Sequence, residues 1–130
     1  MRREWADALL AGDTEALARQ VEDGIDVDAR DRHGQTGLMV AAMRGDTETV
    51  RLLVAHGASL DHVAKFRLSA LMLAVVNGHA EVARILVAAG ADLTLRGSGA
   101  PGFAGKRALD LAAARGDDDL VALLDGGEPG

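Results

Sequence analysis

The chain has 130 residues, 48% of them hydrophobic, and a formal net charge of −6. That length is ample for one domain with a core of its own. The acidic balance argues against general nucleic-acid affinity, which needs a net or local positive field, and the absence of cysteine rules out a disulfide framework or a cysteine-based zinc site.

The opening residues, Met1-Arg2-Arg3-Glu4-Trp5, lack an apolar stretch long enough for a secretory signal, so a cytoplasmic protein is expected. A first helix is predicted over 4–11, with Trp5, Ala8 and Leu9 at helical spacing and Gly12 as a left-handed stop. Asp13 or Thr14 can cap a second helix with Leu17 and Val21 on its apolar face, closed by Gly24. No turn segment precedes Trp5, as expected of a terminal unit with a neighbour on one side only.

Next comes the turn Asp31-Arg32-His33-Gly34, where Gly34 suits a positive φ. Helices are predicted at Gly37–Arg44 and 47–56, with Asp46 as the N-cap of the second and Glu48 in its first turn. Residues 58–61 are expected to lead outward as an extended strand. Then the pattern returns. Thr36-Gly37-Leu38-Met39-Val40-Ala41 recurs further on as Ser69-Ala70-Leu71-Met72-Leu73-Ala74. Gly45, Glu48, Arg51, Leu52, Leu53, Val54, Gly57 and Ala58 return at the same offset as Gly78, Glu81, Arg84, Ile85, Leu86, Val87, Gly90 and Ala91. One offset kept at so many positions marks a repeat protein.

The third unit predicts helices at 69–77 and 80–89, but Arg67 stands where the previous turn has Gly34, so that turn must differ or be strained. Its apolar run 70–76 falls far short of the ~20 residues that span a bilayer, and no membrane association is expected. The step from Leu71 to its counterpart Leu109 is longer than that from Leu38 to Leu71. This places an insert at 97–105, rich in Gly and Pro, before helices at Ala108–Arg115 and 118–124. Residues 126–130 should fray. Four units follow, near 1–30, 31–63, 64–96 and 97–130, carrying net charges of −4, −1, +2 and −3. The expected fold is an all-α solenoid of four stacked helix-turn-helix units with projecting hairpin-like turns. With two Phe, one Trp and no Tyr, the composition suits thin helical layers packed through small residues such as Ala8, Ala41, Ala74 and Ala112.

The pattern resembles the ankyrin repeat. That family's T-P-L-H-x-A start is matched by Thr36 to Ala41 and by Ser69 to Ala74, and its Gly-x-x-x-V-x-x-L-L-x-x-G-A stretch by 45–58 and 78–91. The resemblance covers about residues 4 to 125, with degenerate terminal units. The usual Pro is Gly37, Ala70 or Ala108, and the usual His is Met39, Met72 or Asp110. Any hydrogen-bond network the family builds on that His is therefore missing, and the projecting turns should be held less rigidly than is typical.

Catalytic and ligand sites find little support in the sequence. His79 occupies a helix-start position, where Asp13, Asp46 and Asp117 stand in the other units. His56 and His62 flank a glycine turn, a poor spacing for a metal pair, and Asp117-Asp118-Asp119 suits a helix start. Gly105-Lys106 could end a phosphate-binding loop, but that pattern needs Gly at 100 and Ser or Thr at 107, where the chain has Ala100 and Arg107. An enzyme pairing Asp110 with His33 has no helix pattern to bring the two together. No cofactor and no metal are expected.

What the resemblance implies is recognition of another protein, without catalysis, through one concave face of turn tips and first helices. By register that face holds Arg32, His33, Gln35, Met43, Arg44, Lys65, Phe66, Arg67, Val76, Asn77, Phe103, Lys106 and Arg115. Leu10, Met43 and Val76 would line up as an apolar stripe, Phe66 has no evident core partner, and Phe103 lies near the insert's tip. Apolar and aromatic residues flanked by Arg and Lys suit an interface hot region and an acidic partner surface. Two alternatives stay open: self-association through the same face, and an accessory factor docking on a metabolic or stress-response enzyme. Small bacterial proteins of this type suggest the second, and the Ala/Arg/Asp-rich composition suits a GC-rich genome.

Overall fold

Each glycine stop in the sequence breaks the chain into a helix too short to stand alone, and the breaks come in pairs. The computed structural model describes residues 1–126; the fraying expected of 126–130 falls, from residue 127 on, outside the described residues. Eight α-helices result: α1 (Arg3–Ala11), α2 (Thr14–Glu22), α3 (Gly37–Arg44), α4 (Thr47–Ala55), α5 (Ala70–Val76), α6 (Ala80–Ala89), α7 (Ala108–Arg115) and α8 (Asp118–Gly126). Odd-numbered helices pack on one another in succession, even-numbered helices do the same, and each pair is bridged internally. This is the expected stack of helix-turn-helix units.

Local chemistry fixes the helix starts. Asp13 accepts from the Ala16 amide, Asp46 from that of Thr49 and Asp117 from that of Leu120, at 3.1 to 3.2 Å. Thr36 and Ser69 cap α3 and α5 through the amides of Met39 and Met72, both at 3.3 Å. At α7 the cap is inverted, because an arginine side chain has no acceptor. There the Asp110 carboxylate reaches back to the Arg107 amide at 3.0 Å.

Small residues set the spacing of the layers. Ala41, Ala74 and Ala112 are fully buried and Ala8 nearly so, which lets the odd-numbered helices approach closely. Leu53, Leu86 and Leu124 fill the layer beneath the even-numbered helices, with Leu52, Ile85 and Leu123 half-buried beside them. Trp5 closes the N-terminal end of the core, fully buried against Gly37, where a side chain would crowd Leu9 and the indole.

The links between units are polar as well, and the sequence did not announce them. Asp28 accepts from the Ser59 amide and hydroxyl at 2.8 and 3.1 Å, and one period later Asp61 accepts from the Asp92 amide at 2.8 Å. His79 stands at the start of α6, as expected, but makes no side-chain cap bond; its Nε2 instead meets the Met43 carbonyl at the end of α3, 3.1 Å away. The ring lies so close over Gly45 that a Cβ there would sit 2.5 Å from Nδ1. Arg115 does the equivalent for α5, donating to the Val76 carbonyl at 3.1 Å. The third and fourth pairs thus satisfy backbone carbonyls that the preceding pair's first helix leaves open.

One expectation of extended structure fails: residues 58–61 form no strand. The projecting turns close by isolated bridges, Arg30 with Thr36 and Gly97 with Ala104, or by none in the third unit. With one pair of residues per turn, no ladder can propagate.

Leu53 and Leu86 have no exposed surface. Truncating either to Ala should cost ~2–5 kcal/mol through cavity formation, read as a lowered denaturation midpoint. An unchanged midpoint would contradict their assignment to the shared layer.

Candidate functional site

The projecting turns and the outward side of the odd-numbered helices form one face, and each turn is built differently. In the first, the Asp31 carboxylate accepts from the amides of His33 and Gln35 at 2.8 and 2.9 Å. Gly34 takes the positive φ of 75° that the chain reversal needs. The Arg30 guanidinium then clamps the loop, donating to the carbonyls of Gly34 at 2.8 Å and Val63 at 3.0 Å, with His62 Nδ1 2.8 Å away. Arginine thus supplies a tie between turns in a chain that lacks the histidine of the resembled pattern.

The second turn has neither aid, since Val63 replaces the arginine and Arg67 the glycine. Its 3-10 turn, Lys65–Arg67, places Phe66 and Arg67 at φ 61° and 56°, the left-handed region in which side-chain-bearing residues are strained. These are the only non-glycine residues with positive φ among those described. The strain anticipated at Arg67 is present and extends to Phe66.

The insert at 97–105 holds the strained turn in place. Its base closes through Gly97 and Lys106, and the Arg96 guanidinium donates to the Gly105 carbonyl at 2.7 Å. Gly97 passes so near the Phe103 carbonyl that a Cβ would lie 2.5 Å from that oxygen. The Ser98 amide donates to the Phe66 carbonyl at 2.7 Å, and the Phe103 ring lies 5.4 Å from that of Phe66, tilted by 40°. Phe66 therefore has a packing partner after all, and Phe103 folds back on it instead of marking a free tip. Both are half-buried.

Two recesses lie on this face. The first, about 330 Å³, is walled by Leu10, Val40 and Met43, with His33 and Arg44 at its margin. Leu10 is 57% exposed, the large apolar side chain most open to water among the described residues. The second, about 260 Å³, lies between Leu73 and Val76 on one side and Phe66 and Phe103 on the other. Gln35 borders both. The expected stripe of Leu10, Met43 and Val76 is thus divided, its first two members in one recess and Val76 in the other. Val40 and Leu73 belong to the same surface and were not singled out. Their signal was available, since they hold the same place in successive repeats and lie one helical turn before Met43 and Val76.

The remaining candidates separate by what already holds them. Arg115 is tied to the Val76 carbonyl, and the Asn77 amide donates to the Leu73 carbonyl at 2.8 Å. Arg32, Arg44, Lys65, Arg67 and Lys106 are exposed, and among the described residues none makes an ion pair. Lys65 Nζ stands 5.0 Å from the centre of the Phe66 ring. Among the described residues no three His, Asp or Glu side chains converge as a metal site would require, and no helix is long and apolar enough to cross a membrane. Asp110 is engaged at the start of α7, where the Arg107 amide holds its carboxyl below the usual 3.8.

The family model for three copies of the ankyrin repeat matches residues 6–97, well over half of the chain. The chain belongs to the ankyrin-repeat family. Ankyrin repeats are in general protein–protein interaction modules and typically non-catalytic. The match ends where the insert begins, so the α7–α8 pair lies beyond it. No curated protein matches the chain.

Two consequences of this ankyrin face are measurable. Replacing Arg67 with Gly relieves a left-handed φ at a cost in chain entropy, for a net gain of ~1 kcal/mol or less; thermal melting should show a higher midpoint, and a lower one would show that no strain resides there. Asp110 contributes stability that is present above pH 3.8 and lost as the pH falls through its depressed native value. The Tm deficit of Asp110→Asn should therefore hold steady at neutral pH and shrink on acidification. A deficit independent of pH would remove the charge from the account.

Proposed function

We propose that this ankyrin stack is a non-catalytic, cytoplasmic binding module that captures another protein on its concave first-helix face. The observation that carries the reading is the first recess. Leu10 stands largely in water beside the half-buried Met43, in a recess also lined by the buried Val40, so that apolar surface remains for a partner to cover. Around it and along the turns stand Arg32, His33, Arg44, Lys65, Arg67 and Lys106, in a chain whose net charge is −6. Arginines and lysines gathered on one face of an acidic protein favour a partner surface rich in carboxylates and disfavour close approach of its own acidic regions. The turns carrying these residues are held by Arg30, Arg96 and the Asp31 carboxylate, so little ordering is required on binding. The four units near 1–30, 31–63, 64–96 and 97–130 act in this reading as one domain.

Catalysis is absent from the reading because the one pair considered for it stands on different units. Asp110 serves the start of α7, and His33 lies in the first projecting turn, on a different unit.

Leu10→Glu combined with Met43→Glu should preserve the helical circular-dichroism spectrum, since both side chains lie at the surface. It should abolish capture of a partner that the wild-type protein retains from lysate of its own host cells, with an expected loss of ~2 kcal/mol or more for two central anchors. Capture that survives would place the binding surface elsewhere. Light scattering of the same pair of proteins separates a foreign partner from a second copy of the chain, because only the latter makes the wild type dimeric and the variant monomeric.

A further inference from the structure

The first recess lies between repeated helices, whereas the second exists because of the insert. Without Phe103, the side of Phe66 away from Leu73 and Val76 would face water, and the strained turn that carries it would lose one of its supports. That turn is fixed from several directions: the Ser98 amide on the Phe66 carbonyl, the Phe103 ring against the Phe66 ring, and the Lys65 ammonium over its face. Backbone strain persists only where the surroundings over-determine it, and such places recur at binding sites.

The dimensions and lining say what fits. A volume of about 260 Å³ is below the ~300 Å³ at which small-molecule sites begin, and suits a side chain better than a free metabolite. Its walls are aliphatic and aromatic. Among the described residues Lys65 is the one charged residue lining it, with no carboxylate there to neutralise the ammonium. An occupant with an apolar group and an adjacent negative charge satisfies both features, while a basic one meets uncompensated repulsion.

We propose that the insert and Phe66 together form a specificity socket that takes one aliphatic or aromatic side chain from a partner protein segment, with a neighbouring Asp or Glu of that segment on Lys65. This rests on the interaction-module reading and deepens it. The insert is then the recognition element that distinguishes this stack from a uniform one.

Selection of a random short-peptide display library on the purified full-length protein tests it. Synthetic copies of the enriched peptides are then titrated against wild type, Phe103→Ala, Lys65→Glu and, as a control exposed on α4 away from both recesses, Glu48→Ser, all checked by circular dichroism. The expected motif is Leu, Met or Phe beside Asp or Glu. Its affinity should fall about tenfold or more in Phe103→Ala and in Lys65→Glu, and stay unchanged in Glu48→Ser. Lys65→Glu keeps the test decisive if Phe103→Ala loosens the insert. A basic motif, no enriched motif, or affinity retained in both socket variants overturns the proposal. Failure here with lysate capture still dependent on Leu10 and Met43 would remove the socket and leave the module. Failure of both would remove both.

Discussion

Every other feature of this protein depends on burial between neighbours. Among the described residues no helix exceeds ten residues, and isolated helices of that length are marginal in water. Ala41, Ala74 and Ala112 bring consecutive odd-numbered helices close, and Leu53, Leu86 and Leu124 fill the layer behind. Because each helix pair relies on the adjacent one, the structure is quasi-one-dimensional, and side chains facing away from the stack are released from packing duty. That release is what allows a face to be specialised.

The polar ties between units make the stack directional and precise. Aspartates at 28 and 61 hold the backbone of the following unit, while His79 and Arg115 cover the carbonyl ends of the preceding odd-numbered helices. His79 illustrates how one substitution changes a role. Where Asp46 turns inward to cap its own helix, the longer imidazole reaches across Gly45 to the next layer. The exposed ion pairs of Glu81 with Arg51 and Arg84, at 3.5 and 3.6 Å, contribute little by comparison.

Rigidity and strain are unevenly distributed along the face. The first turn has both an arginine clamp and a glycine at its reversal, whereas the second has neither and is supported from outside by the insert. Insertion and strain are therefore coupled: the inserted residues supply the contacts that keep Phe66 in a left-handed conformation. The family model stops before this segment, which fits a scaffold kept regular up to the point where a chain-specific element takes over.

The sequence by itself determined the fold, because a repeat with helical apolar spacing and glycine stops permits only neighbour-on-neighbour burial. It also located helix starts, through Asp13 and Asp46, and the strained turn, through Arg67 in place of glycine. All of these are local or periodic properties. It could not show that Phe66 meets Phe103, that Arg115 is spent on the Val76 carbonyl, or that Val40 and Leu73 line the two recesses. Those facts join residues more than a full repeat apart, or depend on how much of a side chain the next layer covers. The insert broke the period that made the rest legible, so only the tertiary structure decided that its glycine-rich loop folds back as the wall of a socket.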